Sequence, residues 1–537
     1  MDFSAARACL FGCGFSKEQL KKPIVGIIYS PNGITPGHLH LETLAQKAVE
    51  GVYAGGGTPI KMTAGVGVCD GIAMGHPGMN HSLPSREHNA DAVEIMVRSH
   101  NIFDGLILIG ACDKNIPGYL MAAARLDLPT IFITAGPMYA GFGNGKKMDV
   151  VDSFAAAAQL SSGQISKERY DEILECCCPG AGSCNGLFTA NSMACVTEAL
   201  GLTLPGMATA HATDAKKLRL SFQSGLAVMH LIERNVTARQ IITKESFWNA
   251  LAVDMAIGAS TNTVLHIPAI AKEAGIEIDL EMINEISKKV PNLVKLSPSS
   301  EKGMTDFDRA GGIPVVMKEL AKAGLLHPAI PVNGDLWNCL SQISEPDGEI
   351  IRSVESPYSA TGGIMILRGN LAPEGAVIKM TGVSPETDPI FTGIAKVFEN
   401  EDSANEFIGS DKLVPGIVIV IRNVGLAGAP GMPEMLYPTS GIKGRKMDKD
   451  VALITDGRFS GGTAGICVGH IAPEAYNGGM IALIKDGDII TINLVEKRID
   501  VGLSDEEIEK RRAVWKRVET DVSNSPTLKS FREKYTV

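Results

Sequence analysis

The chain has 537 residues, too many for one hydrophobic core, so it is expected to divide into two or more domains. Apolar residues make up 45% and charged residues 20%, an ordinary globular balance that excludes general disorder. A net charge of -10 argues against a nucleic-acid partner, and no apolar run is long enough to cross a bilayer.

Residues 23–30 form an apolar run of strand length that Pro31-Asn32-Gly33 ends. Thr35-Pro36-Gly37-His38 leads into a helical pattern carried by Leu41, Leu44, Ala48 and Val52, and Gly55-Gly56-Gly57 stops it. A strand near residues 59–62 precedes the loop from Val68 to His76, which contains Cys69-Asp70-Gly71. A helix over about 85–100 feeds a buried strand at 105–110, and a helix near 120–125 leads to another strand at 130–134. Strands alternating with helices in short units predict a mainly parallel α/β layer, with ligands gathering beyond the carboxyl ends of its strands.

Residues 150–345 read as mostly helical, interrupted at Asp308-Arg309-Ala310-Gly311-Gly312. After about residue 346 short β-rich runs recur, at 376–380, 416–421, 451–455 and 480–494, and Asp486-Gly487 within the last predicts a hairpin. Ser504-Asp505-Glu506-Glu507 has capping-box spacing and starts a terminal helix. The expected class is α/β, with an N-terminal mainly parallel α/β sandwich domain over 1–345 and a C-terminal β-rich, barrel-like domain over 346–537.

Eleven cysteines without a signal-peptide pattern predict a reducing, cytoplasmic setting and metal or redox use instead of disulfides. Cys176, Cys177, Cys178 and Cys184 share a loop-like segment, whereas Cys9, Cys195, Cys339 and Cys467 read as buried structural thiols. At the end of the 105–110 strand, Cys112-Asp113-Lys114 sets a soft ligand beside a hard one, which suits iron next to magnesium, calcium or manganese. The plain alternative is a helix start capped by Asp113, just as Asp70 can be a turn residue and Glu434 a surface glutamate after Pro430-Gly431-Met432-Pro433.

Gly182-Ser183-Cys184-Asn185-Gly186 sets a thiol beside backbone amides that could tune a cluster. Ser460, in Asp456-Gly457-Arg458-Phe459-Ser460-Gly461-Gly462, is presented by a glycine turn. It lacks the Gly-x-Ser-x-Gly elbow of a hydrolase, because Arg458 stands where glycine is required. Gly143-Asn144-Gly145-Lys146-Lys147 imitates a phosphate loop but fails its spacing.

Together the stretches CDKNIPG (112–118), DGIAMGH (70–76), SLPSRE (82–87), PGAGSCNGLFTANSMAC (179–195), DRAGGIP (308–314), GNLAPEGAVIK (369–379), PGMPEMLYPTS (430–440) and LITDGRFSGGTAG (453–465) resemble the dihydroxy-acid dehydratase / phosphogluconate dehydratase family. The resemblance implies loss of water from a small 2,3-dihydroxy acid to give a 2-keto acid. The first-choice substrate is 2,3-dihydroxy-3-methylbutanoate or its ethyl homologue; a sugar-acid dehydratase and a non-catalytic iron–sulfur protein are the alternatives. It also implies an iron–sulfur cluster, [4Fe-4S] or [2Fe-2S], held by Cys112 and Cys184. Asp70, Asp113, Glu434 and Lys114, the last as its carbamate, would hold Mg2+, Ser460 would be the base, and the assembly would be a homodimer or a dimer of dimers.

Two departures from the family pattern stand out. Some members carry a cysteine ligand in Thr-Pro-Cys-Asn where this chain has Thr35-Pro36-Gly37-His38, a form similar to the branch with an oxygen-sensitive four-iron cluster. A third ligand would then come from Cys69 or from one of Cys176, Cys177 and Cys178. Arg422-Asn423-Val424-Gly425 also replaces the Arg-Tyr-Glu-Gly common among branched-chain members.

Overall fold

The computed structural model describes residues 4–143, 145–161 and 163–536. Its first sheet is fully parallel, in the order β2-β1-β3-β4, from β1 (Ile24–Tyr29), β2 (Thr58–Thr63), β3 (Gly105–Gly110) and β4 (Thr130–Thr134). Every residue of β1, β3 and β4 is buried, the mark of a parallel sheet covered on both faces, while β2 at the edge is partly open. The helix Leu41–Ala54 buries Leu41, Leu44, Ala45, Ala48 and Val52 along one stripe, as the sequence pattern predicts.

The helix after β3 begins earlier than its apolar pattern suggests and spans Cys112–Leu126. Nearly all of it is buried, Lys114 included, so the metal-like motif forms the first turn of a central helix and not a loop. A helix hydrophobic on all sides belongs in a core, and this one packs against Ser82–His100, Thr189–Ala199 and Thr263–Glu273.

The second sheet has eight strands in the order Arg498–Val501, Ile489–Asn493, Ile390–Phe398, Ile417–Ile421, Ala452–Thr455, Ile466–Ala472, Gly375–Lys379 and Ile364–Leu367. A bridge between Arg368 and Arg498 links its two edges, so the sheet is nearly closed, as the barrel-like reading anticipated. The hairpin expected at Asp486-Gly487 is not there. Met480–Leu483 coils as a short 3-10 helix, and the true hairpin joins Ile489–Asn493 to Arg498–Val501. Ser504 caps the helix Asp505–Val514 by accepting the Glu507 amide, as its spacing predicts. No helix among the described residues is long and apolar enough to cross a membrane.

Candidate active site

The loops that follow strand β2 and strand β3 each lead to a Cys-Asp pair that opens a helix: Cys69-Asp70 at Asp70–Ala73, and Cys112-Asp113 at the start of Cys112–Leu126. Cys112 holds a left-handed φ of 62°, which for a residue with a Cβ costs about 1 to 3 kcal/mol and marks a site whose surroundings impose the geometry. The motif is a helix start, as the plain alternative expects, but the N-cap position is Ala111, which makes no side-chain capping bond, and Asp113 lies inside the first turn. Glu434 comes from the other half of the chain and is 2% exposed, not a surface residue. A two-residue parallel pairing sets Glu434 opposite Arg458 and Met435 opposite Phe459, and the Ser460 amide then donates to the Met435 carbonyl at 3.0 Å.

Asp70, Asp113 and Glu434 offer oxygens that all lie within 4.8 Å of one another. Lys114 sits among them, its Nζ 2.6 Å from Asp70, 3.4 Å from Glu434 and 3.7 Å from Asp113. Burial pushes Asp113 up to about 7, with Lys114 opposing and the other two carboxylates reinforcing the rise. Burial raises Glu434 as well. For Asp70 burial is outweighed by the Lys114 and Arg458 charges and by hydrogen bonds from Lys114 and Ser82, which hold it below the usual carboxylate range. As a donor set, three convergent carboxylates suit a hard oxygen-seeking cation such as Mg2+.

Sequence reasoning missed Arg458, Asn262 and Ser82 as parts of this site. Arg458 is fully buried: its Nε donates to the Met432 carbonyl at 2.6 Å, and its Nη1 to Glu434 and to Asn262 Oδ1, both at 2.9 Å. Asn262 Nδ2 donates to the second Glu434 oxygen at 3.0 Å, and the Ser82 hydroxyl to Asp70 at 2.6 Å. The one available signal was an arginine between a buried strand and a glycine turn, where a charge has no business without a partner. Arg458→Met is expected to destabilise the metal-free chain by about 3 to 5 kcal/mol, because Glu434 would lose its buried counter-charge. Denaturant unfolding measures this, and an unchanged midpoint would show that Glu434 does not depend on Arg458.

Cys112 and Cys184 line one cavity of about 50 Å³ with Cys69, Asp70, Asp113, Glu434 and Ser460. All three cysteines are free thiols, and burial raises each of them. Soft sulfur donors in a buried setting suit iron. The expected free amides beside Cys184 are partly spoken for: Gly182 donates to the Pro36 carbonyl and Ser183 to that of Gly136, both at 3.0 Å. Cys177 is buried elsewhere, against Ala156 and Ile173. Of the four thiols read as buried and structural, Cys195 and Cys467 are buried, Cys339 is half-buried and Cys9 is exposed, since the helix Ser4–Gly12 buries no residue.

Ser460 is half-buried at the cavity, its Oγ approached by the Gly462 amide at 3.4 Å. The same cavity is also lined by the apolar residues Met74, Val150, Val151, Phe154, Phe188 and Leu436. The divergent Arg422-Asn423 stretch lies off this cavity and is structural. Arg422 pairs with Glu399, and the Asn423 and Val424 amides donate to Asp456 at 3.1 Å.

Two family models match the chain, "Dihydroxy-acid/6-phosphogluconate dehydratase N-terminal" over residues 22–338 and its C-terminal counterpart over 349–536. The chain is 51% identical over 532 residues to the dihydroxy-acid dehydratase of Caldanaerobacter subterraneus subsp. tengcongensis, covering 99% of this chain and 94% of that protein. It is 49% identical over 512 residues to the enzyme of the same name from Acetivibrio thermocellus, covering 95% and 92%. To that of Methanococcus aeolicus it is 48% identical over 518 residues, covering 96% and 93%.

Proposed function

The chain belongs to the dihydroxy-acid/6-phosphogluconate dehydratase family, and on that premise we propose that it dehydrates 2,3-dihydroxy-3-methylbutanoate and its 3-methylpentanoate homologue to 2-keto acids in branched-chain amino-acid biosynthesis. The observation that favours an alkyl substrate over a sugar acid is the apolar share of the cavity lining, Met74, Val150, Val151, Phe154, Phe188 and Leu436. Extra hydroxyls on a sugar acid would be buried there without partners, whereas the substrate's methyl or ethyl group would be accommodated.

In this reading residues 1–345 supply Cys112, Cys184, Asp70, Asp113 and Lys114, and residues 346–537 supply Glu434 and Ser460. Asp70, Asp113, Glu434 and carbamylated Lys114 would hold Mg2+, and Cys112 and Cys184 an iron–sulfur cluster. When bound, these centres supply Lewis acidity toward the substrate carboxylate and its two hydroxyls. Ser460 Oγ takes the proton from carbon 2 as hydroxide leaves carbon 3, and the resulting enol tautomerises to the 2-keto acid. As a neutral alcohol a serine is too weak a base to do this, and no carboxylate or imidazole is bonded to Oγ among the described residues. The reading is therefore an alkoxide, with the Gly462 N–H as donor to it. Lys379 steadies that turn by donating to the Gly461 carbonyl at 3.2 Å.

The test is an anaerobic assay of the reconstituted enzyme on the branched-chain dihydroxy acids, gluconate, xylonate and arabinonate. Turnover confined to the branched-chain acids is the expected result. Turnover confined to sugar acids would overturn it.

A further inference from the structure

Position 37 cannot supply a cluster ligand here, and the loops around it show which residue stands in its place. Strand β1 lies between β2 and β3, so the loop after β1 is flanked by the two Cys-Asp pairs. That loop is a hub. The Thr35 hydroxyl donates to the Gly67 carbonyl at 2.9 Å, two residues before Cys69. The Pro36 carbonyl accepts the Gly182 amide at 3.0 Å, two residues before Cys184. A Cβ on Gly37 would sit 2.7 Å from Cys112 Sγ, closer than real side chains approach. The loops bearing Cys69, Cys112 and Cys184 are thus laced around Thr35-Pro36-Gly37, and all three thiols line the same cavity.

We propose that Cys69 is the third protein ligand of the cluster, replacing from the loop after β2 the side chain that the loop after β1 lacks. The proposal rests on the cluster reading above. The rival thiols are placed less well. Cys177 packs into its own apolar cluster, the Cys176 backbone closes against Gly141, and Cys178 is exposed and does not line the cavity. Cys69 also precedes Asp70 as Cys112 precedes Asp113, so each loop would give one sulfur to iron and one carboxylate to the hard cation. Such paired supply fixes the spacing of the two centres through single peptide units.

The test compares iron and acid-labile sulfide per chain, the visible absorption and the electron paramagnetic resonance spectrum of the full-length protein reconstituted anaerobically. Cys69→Ser is expected to fall to the iron content of Cys112→Ser, with Cys178→Ser unchanged from wild type. Cys69→Ser retaining the wild-type content and spectrum overturns the proposal while leaving the cluster reading intact. Loss in Cys178→Ser alone assigns the ligand to that residue instead. A wild-type chain that takes up no iron and sulfide sinks the cluster reading and the proposal together. Should Cys69→Ser fail to fold, wild-type protein answers the same question by thiol alkylation and peptide mapping. Cys69 is expected to be protected when loaded and to react after chelation; equal labelling in both states overturns the assignment.

Discussion

Ser460→Ala is expected to lower kcat on the order of 10²- to 10⁴-fold, the loss typical of removing a group that moves a proton in the transition state. The fold should not notice. Among the described residues Ser460 Oγ is hydrogen-bonded only by the 3.4 Å approach of the Gly462 amide, so deletion strands no strongly bonded partner. The backbone of the turn is held independently, by the Ser460 amide on Met435, the Thr463 amide on the Ser460 carbonyl and Lys379 on Gly461. Stability should therefore change by less than about 0.5 kcal/mol, and iron and magnesium contents should stay at the wild-type level. Activity, metal analysis and a thermal melt on one preparation separate the cases. Full activity removes Ser460 as the base, and joint loss of metal and activity makes it a structural residue instead.

What could be read from the sequence, and what could not, follows from the range of the interactions. Strands β1, β3 and β4 were legible because burial on both faces leaves an unbroken apolar run, a purely local signature. Cys112-Asp113-Lys114 was legible as unusual for the same reason: its chemistry is contiguous. Arg458 and Asn262 were not. They are buried because Glu434 is, and their mutual contact spans 196 positions along the chain, so no window of sequence contains the reason for either.

The hairpin mistake at Asp486-Gly487 has a similar cause. The Asp486 carboxylate accepts the Val397 amide at 2.8 Å and pairs with Lys396, which anchors the turn to a strand 89 positions earlier. The apolar stretch before it then coils against the barrel core, and its composition alone cannot distinguish a short helix from a strand. Gly37 lies between these cases. Its departure from the family pattern was visible, but not that a Cβ there would stand 2.7 Å from Cys112 Sγ.

Lys114→Met is expected to weaken Mg2+ binding on the order of 10- to 100-fold and to abolish turnover at ordinary magnesium concentrations. The direction of that change decides what Lys114 is. With an ammonium at Lys114, the three carboxylates face two buried cations, Lys114 and Arg458, and the cluster of charges is negative by one. Removing the ammonium would then make the site more negative and strengthen its hold on a divalent cation. With a carbamate at Lys114 the same groups are negative by three, and a bound Mg2+ restores the site to negative by one. The loaded carbamylated site therefore carries the same net charge as the free-lysine site, which is how a buried centre can exchange one for the other without a large electrostatic cost. Removing the carbamate deletes a ligand and weakens binding. Calorimetric titration of Mg2+ into wild-type and Lys114→Met protein, with bicarbonate present, reads the sign directly. Tighter binding in the variant would establish Lys114 as a counter-ion. Weaker binding, together with the added mass of carbon dioxide on the Lys114 peptide under native conditions, would establish it as an oxygen ligand.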